Sequence, residues 1–406
     1  MSAHSVHSTE VDEPFDLLGT VPDGSGPMWL HQGGGLVGMG EVARFDIPPG
    51  PGRFERAQAE LANFFSSCEV HDEVEELGSG PVAFGALTFD RDAAGSALVV
   101  PQVVLGSRRG RRWVTTMDGA TAPPLLPAPP VEASTERIRY AGSTMSELRW
   151  LEIVAEAIDA IEEGKLDKVV LARDLLVWSK AGFDVRVLAA RLAARYPQCF
   201  TFAFDVLVGA TPELLVRRCG SDVESLVLAG SAARGRDEGA DEALGGALLH
   251  SAKDLHEHRP AVESVRSVLS EVCSELESDV EPFLLKLANV QHLATKLQGR
   301  LSSPVSALEL AGRLHPTAAI CGSPTPVALE LIHSLEGMER SRYSGPVGWV
   351  SASGDGEWGI ALRCAELNGG RGRLFAGSGI VRGSLPEAEL EETRLKLRAM
   401  QAALEG

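Results

Sequence analysis

The spacing of hydrophobic and polar positions divides the chain into many short strands and a few amphipathic helices. Apolar runs bounded by turn-forming residues predict strands at 81–90, 97–106, 167–179, 199–211, 213–219, 225–232 and 374–381. The stretch 349–367 predicts a hairpin around its Gly-Asp-Gly turn. Strands and helices in separate runs favour an α+β fold, in which large antiparallel β-sheets pack as a sandwich with flanking helices.

Helical spacing appears in three places. The segment 146–166 predicts an amphipathic helix, and the region 253–300 is also expected to be helical. An acidic helix is predicted to follow the turn near Pro386. Its apolar stripe consists of Leu390, Leu397, Met400 and Leu404.

Local composition suggests how the chain is organised. Residues 1–14 are polar and are expected to be disordered, and residues 15–118 are expected to form a strand-rich N-terminal part. The segment 119–135 is rich in proline and is expected to be an extended connector. Residues 136–404 are expected to carry the catalytic machinery.

Charge and cysteine usage restrict the class of protein. The 406 residues carry a net charge of -18, which argues against a nucleic-acid or anionic-membrane partner. The sequence contains no apolar run of about 18 residues and no secretory signal, so a cytoplasmic protein is expected. Its 6 cysteines are scattered singly, without the spacing of a zinc site or a disulfide framework.

Acidic residues are paired at helical spacing in two segments. Glu389 and Glu392 are three residues apart on one face of the C-terminal helix, and Lys396 extends that face. Asp254 and Glu257 form a second pair. Two pairs of hard oxygen ligands suit Mg²⁺, which prefers carboxylates and retains water.

A structural interpretation of these acids is equally open from the residues alone. The first pair is typical of an exposed helix face with one Glu–Lys ion pair. In the second segment, Ser251 and Asp254 are spaced as in a capping box, and Pro260 predicts either a kink or a helix start.

Three charged residues interrupt apolar strands, and a histidine lies between apolar neighbours. Lys168 either reaches solvent or is a desolvated general base. Glu213 is either a strand-end charge or an acid in a pocket, and Arg363 needs an anionic partner from the protein or a ligand. A histidine such as His315 is more often a core group than a catalyst.

Taken together, these segments resemble the chorismate-utilising enzymes. This family includes isochorismate synthase, salicylate synthase, anthranilate synthase component I and aminodeoxychorismate synthase component I. The resemblance covers about residues 80–404, and the order and spacing of its motifs are highly specific. The motifs are KVVLAR (168–173), TPELLV (211–216), LAGSAARG (228–235), KDLHEH (253–258), LHPTAAICG (314–322), ERSRYSGPVG (339–348), IALRC (360–364) and AGSGIVRGS through EETRLK (376–396).

The resemblance implies a magnesium site. Mg²⁺ would connect the ring carboxylate of chorismate to the protein, with Glu257 and Glu392 as direct ligands. Asp254 and Glu389 would act in the outer shell or through water. The family pattern thus assigns a shared role to both acidic pairs.

The resemblance also implies the substrate contacts. Arg363, Lys396 and the amides of Gly377 and Gly379 would bind the enolpyruvyl carboxylate through charge-assisted hydrogen bonds. The remaining positions carried over to the substrate pocket are Gly230, Ser231, Ala319, Tyr343 and His315, the last as a pocket-shaping residue.

Three details favour isochorismate synthase within this family. Ala229 stands where aminodeoxychorismate synthases carry a nucleophilic lysine, and alanine cannot attack. Anthranilate synthases usually have threonine in place of Ser231, and the segment LHPTAAICG is similar to that of isochorismate synthases. The implied reaction is an isomerisation: Lys168 takes a proton from the water that attacks C2, and Glu213 protonates the departing C4 hydroxyl.

Three alternatives remain open. Salicylate synthase uses the same scaffold and then eliminates pyruvate. The others are a non-catalytic chorismate-binding subunit and an anthranilate-type enzyme with a glutaminase partner. The preferred interpretation is a monomer that needs no glutaminase and serves menaquinone or siderophore synthesis.

The chain departs from the family pattern at four positions. These are Ser378, Ala318, Thr211 and Pro260, and none of them removes a proposed catalytic group.

Overall fold

Alternating buried and exposed side chains build two large β-sheets, which helices cover. The computed structural model describes residues 4–20, 26–123, 125 and 137–406. The strands are β1 (His4–Glu10), β2 (Met28–His31), β3 (Gly34–Met39), β4 (Ala43–Ile47), β5 (Cys68–Asp72), β6 (Val82–Ala86), β7 (Ser96–Val100), β8 (Val103–Arg108), β9 (Arg111–Met117), β10 (Arg139–Gly142), β11 (Lys168–Trp178), β12 (Phe200–Phe204), β13 (Leu207–Thr211), β14 (Leu214–Cys219), β15 (Asp222–Ala233), β16 (Cys273–Ser278), β17 (Phe283–Lys286), β18 (Val290–Leu301), β19 (Gly322–Ser323), β20 (Pro346–Ser351), β21 (Gly356–Ile360), β22 (Cys364–Asn368) and β23 (Arg371–Val381). The helices are α1 (Arg53–Ser66), α2 (Glu147–Glu162), α3 (Val185–Arg195), α4 (Glu238–Leu249), α5 (Ala252–Val272), α6 (Ala307–Leu314), α7 (Thr325–Leu335) and α8 (Pro386–Glu405).

Both sheets combine strands from early and late parts of the chain. The order in the first sheet is β10-β11-β23-β22-β13-β12-β2-β3-β8-β9-β1-β5, with β19 also paired to β11. The order in the second is β16-β18-β15-β14-β21-β20-β6-β7-β4, with β17 also paired to β18. Neighbouring strands of the described residues run antiparallel, apart from the parallel pair β1 and β5.

An aromatic cluster joins the two sheets. Trp29 and Phe202 of the first sheet belong to the same buried cluster as Phe84 and Trp349 of the second. This is the interior of a sandwich, so the predicted α+β fold with packed antiparallel sheets is confirmed.

Two predicted helices lie as their patterns indicate. The hydroxyl of Ser146 accepts a hydrogen bond from the N–H of Arg149, which caps α2. Helix α8 starts with Pro386 in its first turn, where a proline costs no helical hydrogen bond. Its predicted apolar stripe is buried, and α8 packs against β23.

The expectation of a disordered N-terminus is wrong for residues 4–10. They form β1, which pairs with β5 on one side and with β9 on the other. Val6 and Ser8 point inward, and the hydroxyl of Ser8 lies 2.8 Å from that of Thr115. The segment looked disordered because its polar groups are satisfied by strands distant in sequence.

The expectation of a continuous helical region over 253–300 is also wrong. Helix α5 ends at Val272, and β16, β17 and β18 follow. Strand β18 has β15 on one side and β16 on the other, so pairing with strands distant in sequence outweighs its local helical spacing. Pro260 lies inside an unbroken α5.

Some features were not predicted or lie outside the described residues. Helices α1, α3, α4, α6 and α7 had no prediction of their own. Residues 119–123 and 125 of the expected connector belong to no helix or strand, and the rest of it lies outside the described ranges. No helix in the described ranges is long and apolar enough to cross a membrane.

Candidate active site

A cleft opens where β11, β15 and β23 approach α5 and α8. Ten of the residues predicted for the site line this cleft: Glu213, Gly230, Ser231, Glu257, Ala319, Tyr343, Arg363, Gly377, Gly379 and Lys396. They come from positions up to 183 residues apart in sequence (396 − 213). The fold therefore gathers most of the predicted site in one place.

Lys168 is fully buried and lies beside Glu257, which lines the cleft. Its Nζ lies 3.2 Å from Oε1 of Glu257, and it donates to the backbone carbonyl of the same residue at 3.3 Å. Gly379 leaves room for this pair, because a Cβ there would lie 2.2 Å from Glu257 Oε1 and 3.1 Å from Lys168 Cε. The lysine thus has a fixed position and no contact with bulk solvent.

Glu213 follows β13 and the turn residue Pro212. Its backbone N–H donates to the hydroxyl of Thr211, and its side chain is buried. Burial raises the pKa of Glu213 to about 8, although Lys168 and Lys396 act in the opposite direction. The carboxyl group therefore holds a proton at neutral pH, as a general acid must.

Both acids of the α8 pair are held by lysines. Glu389 is buried, lies 2.7 Å from Nζ of Lys253 and accepts a 2.5 Å hydrogen bond from Ser378. Glu392 lies 2.5 Å from Lys396, four residues further along the helix. The predicted Glu–Lys pair is present, and its lysine lines the cleft.

Asp254 of the α5 pair lies close enough to Glu389 and Glu392 to be affected by their charges. Ser251 caps α5 by accepting a hydrogen bond from the N–H of Asp254, as its spacing predicted. Burial raises the pKa of Asp254, and the negative charges of Glu392 and Glu389 add to that rise. In the described residues, no three acidic, histidine or cysteine side chains form a ready-made metal cluster.

Arg363 is buried and bound to a histidine that the sequence analysis missed. Its Nη2 donates to Nε2 of His292 at 3.0 Å, because a guanidinium has no acceptor atom. The proton of His292 is therefore on Nδ1, which faces the Gly230 carbonyl and the Ser231 hydroxyl. Burial and the neighbouring Arg363 hold the pKa of His292 well below its usual range.

His292 could have been found from its strand register. It lies directly across from Ser231 in the pairing of β18 with β15. The prediction of a helix over 253–300 concealed this relationship. A strand assignment there would have placed the histidine beside a predicted substrate residue.

The far wall is formed by aromatic and glycine residues. The rings of Tyr343 and Phe375 stack with centroids 5.0 Å apart. A Cβ at Gly377 would lie 3.0 Å from the Tyr343 hydroxyl, and Lys396 donates to the Gly377 carbonyl at 3.0 Å. Gly230 has a φ of 82°, which suits the register shift in β15.

His315 lies outside the cleft, so the expectation that it shapes the substrate pocket is corrected. Its Nε2 donates to the Phe89 carbonyl at 2.9 Å, and its ring packs near Phe54 and Phe89. Burial lowers its pKa to about 3. The residue ends α6 in the core, whereas Ala319, four positions later, reaches the cleft.

Fold and site define a class of enzyme whose pocket holds a buried acid, a buried lysine and cations for a carboxylate substrate. The family model described as "Chorismate binding enzyme" matches residues 125–405, and this chain belongs to that family.

Several relatives of this chain are isochorismate synthases. The chain is 38% identical over 338 residues to isochorismate synthase DhbC of Bacillus subtilis, which covers 80% of this chain and 81% of the relative. It is 36% identical over 368 residues to isochorismate synthase EntC of Escherichia coli K12, with 89% and 90% covered. The solved structure of MenF, the menaquinone-specific isochorismate synthase of Escherichia coli, superimposes with a TM-score of 0.82 at 25% identity, covering 99% of this chain and 95% of that one.

Proposed function

We propose that this protein is an isochorismate synthase, an isomerase that converts chorismate to isochorismate. The observation that carries the proposal is that a buried amine lies near a carboxyl group that keeps its proton. The amine is Lys168, and the carboxyl group is that of Glu213, which stays protonated near pH 7. Lys168 takes a proton from water as its oxygen attacks C2 of the ring. Both ring double bonds shift by one position, from C1=C2 to C1=C6 and from C5=C6 to C4=C5, and Glu213 gives its proton to the departing C4 hydroxyl, which leaves as water.

The cationic side chains of the cleft are proposed to hold the enolpyruvyl carboxylate. Arg363 and Lys396 both line the cleft; Arg363 donates to His292, and Lys396 donates to the Gly377 carbonyl and pairs with Glu392. Gly377 and Gly379 allow the substrate to approach the β23 backbone, since any side chain there would collide with the wall. Charge-assisted hydrogen bonds would orient the ring over Lys168.

We propose Mg²⁺ as the cofactor because the donor set fits it. The acids of α5 and α8 are all carboxylates, and Mg²⁺ is commonly held by one or two carboxylates together with water and substrate. Lys168, Lys253 and Lys396 each pair with one of these acids, so a divalent cation would supply further positive charge for a substrate with two carboxylates. Glu257 and Glu392 would hold the ion, with Asp254 and Glu389 behind them, and the ion would neutralise the ring carboxylate.

The metal proposal has a direct test on α8. We expect Glu392→Gln to weaken Mg²⁺ binding, measured by calorimetry in the absence of turnover, by at least about tenfold. Glu391→Gln is the matched control, because Glu391 is exposed and pairs with Arg394 on the outer face of the same helix. Equal Mg²⁺ affinity in both variants would place the metal site elsewhere.

The reaction itself is tested by product analysis. Chorismate is incubated with the protein and Mg²⁺ without ammonia, and the products are separated by chromatography. Isochorismate without pyruvate is the expected result. Salicylate with pyruvate would instead identify a salicylate synthase, and chorismate binding without turnover would identify a binding subunit.

Two further features support an enzyme that acts alone in the cytoplasm. Ala229 lines the cleft and cannot act as an amine nucleophile, which disfavours the aminodeoxychorismate route. All 6 cysteines are free, as in a reducing compartment. We propose a monomer without a glutaminase partner, which light scattering during gel filtration would test.

A further inference from the structure

One edge of β11, the strand that carries the proposed base, has a gap between its strand partners. On that side, β19 pairs with Lys168 and Val169, and β10 pairs from Leu176 onward. Between them, the Val170 N–H donates to the Cys321 carbonyl at 2.8 Å, but the Val170 carbonyl and the Ala172 N–H have no backbone partner on this side. Buried backbone groups require hydrogen-bond partners, so something else must fill the gap.

A buried ion pair fills it. Glu336 accepts a hydrogen bond from the Ala172 N–H at 2.8 Å, and Arg340 Nη2 donates to the Val170 carbonyl at 2.7 Å. The two side chains also hold each other, with Arg340 Nε 2.9 Å from Glu336 Oε2. Glu336 is 2% and Arg340 4% exposed, so water does not substitute for either contact.

The same guanidinium also holds a second segment that lines the cleft. Arg340 Nη1 donates to the Ile320 carbonyl at 2.9 Å, and Ile320 and Ala319 both line the cleft. The ring of Phe89 covers the guanidinium at 4.2 Å. One planar group therefore fixes the separation between β11 and the segment 319–321.

We propose that the Arg340–Glu336 pair is a positioning element that sets the place of Lys168 for the isomerisation. This inference rests on the proposed function. The pair acts through the backbone of β11, on which Lys168 and Val170 lie two residues apart and share a face. A displacement of about 1 Å at a reacting group can cost about 100-fold in rate, so small shifts of this strand matter.

The competing explanation is that the pair contributes to stability alone. Removing one partner of a buried ion pair destabilises a protein whatever its location. A useful experiment must therefore compare Arg340 with another buried arginine. Arg342 is such a residue: it is 8% exposed and binds the Gly95 carbonyl and Asp205, neither of which lines the cleft.

The experiment compares Arg340→Lys with Arg342→Lys in the full-length protein. A lysine keeps the charge but cannot reproduce the planar set of donations from Arg340. We expect Arg340→Lys to lower kcat about 10- to 100-fold. It should also speed hydrogen exchange in the peptide 168–173. Arg342→Lys should keep kcat and that exchange rate within about twofold of wild type. Its melting temperature should nevertheless fall by about as much as that of Arg340→Lys.

If Arg340→Lys does not fold, a second pair of variants tests the same inference. Glu336→Gln keeps an acceptor for the Ala172 N–H, whereas Glu336→Ala removes it, so kcat should fall further in the alanine variant. Unchanged kcat and unchanged exchange in Arg340→Lys, or equal kcat in the two Glu336 variants, would overturn the inference. A wild-type protein that forms no isochorismate would refute the proposed function instead, and the exchange data would still test the positioning of β11.

Discussion

At the scale of single residues, the proposed mechanism depends on how burial acts on the carboxyl group of Glu213. Glu213 lies where burial outweighs two nearby lysines, so its carboxyl group remains protonated at a pH where an exposed glutamate is ionised. Lys168 lies nearby, with Glu257 as its charged partner. A carboxyl group that keeps its proton near pH 7 meets the requirement for the proposed general acid.

The raised pKa of Glu213 predicts how stability depends on pH. Its pKa rises from 4.5 to about 8 on folding, so the folded state binds the extra proton between these values. The stabilisation is complete below about pH 4.5 and is lost as the pH rises through about 8. Relative to Glu213→Gln, the wild type should lose free energy of unfolding on the order of 4 kcal/mol across this window. Urea titrations at several pH values test this, and parallel curves for the two proteins would refute it.

The catalytic rate should also depend on the protonation of Glu213. Glu213→Gln removes the transferable proton and should lower kcat by about 10²- to 10⁴-fold with little change in fold. The wild-type kcat should fall as the pH rises through about 8, because the acid is then ionised. Steady-state kinetics from pH 6 to 9.5 measure this, and a flat profile would contradict the assignment.

Lys168→Ala tests the base. The variant should lose the isomerisation while circular dichroism shows a folded protein, because a methyl group cannot accept a proton. Glu257 is left buried without its partner, so a lower melting temperature is also expected. Turnover close to that of wild type would rule out Lys168 as the base.

At the scale of elements, strand β23 brings the α5 and α8 acids together because it carries glycines at two of its positions in the cleft. Its glycines allow Lys168 and Glu257 to approach the strand from one side, and Tyr343 to approach it near Gly377. Helix α8 then follows β23 directly in sequence and places its acids above the same strand.

Gly379→Ala should therefore disrupt the site rather than the sheet. The added Cβ would lie 2.2 Å from Glu257 Oε1, so the glutamate and Lys168 must move, and kcat should fall about 100-fold. Gly246→Ala in α4 is the control, because it has open space and should stabilise the helix by about 0.5–1 kcal/mol. Kinetics and urea denaturation of both variants test this. Normal kcat in Gly379→Ala would show that the cleft tolerates a side chain at this position of β23.

At the scale of the whole molecule, one buried carboxylate connects the two sheets. Glu357 of β21 accepts hydrogen bonds from Trp29 and Arg108 of the first sheet and from Arg217 of the second. Burial would raise the pKa of Glu357, but the two arginines outweigh it and hold the pKa at about 2. N-terminal strands are thereby fixed to the strands that lead into the site.

Glu357→Gln should destabilise the protein without a specific loss of catalysis. It leaves two arginines with a buried, uncharged neighbour, at a cost of about 3–5 kcal/mol near pH 7. The difference from wild type should vanish as the pH falls from about 4.5 to about 2, where Glu357 itself is protonated. Glu224→Gln is the control, since Glu224 is half-exposed and should cost at most about 1 kcal/mol. Equal urea midpoints for the two variants would contradict the role of Glu357.

The sequence by itself determined the features that depend on local pattern and short motifs. Alternation predicted most of the strands that carry the site, and helical spacing predicted α2 and α8 with their buried faces. The motifs predicted the family and ten residues that line the cleft. These features depend on residue type and spacing over a few positions, which a sequence displays directly.

The tertiary structure alone decided the features that depend on partners distant in sequence. Strands β1 and β18 form because other strands satisfy their backbone, against a polar or helical local pattern. The role of His292 depends on its register opposite Ser231, and the place of His315 depends on how α6 packs in the core. Burial, which sets the proton on Glu213, is likewise a property of the assembled fold and not of any segment of the chain.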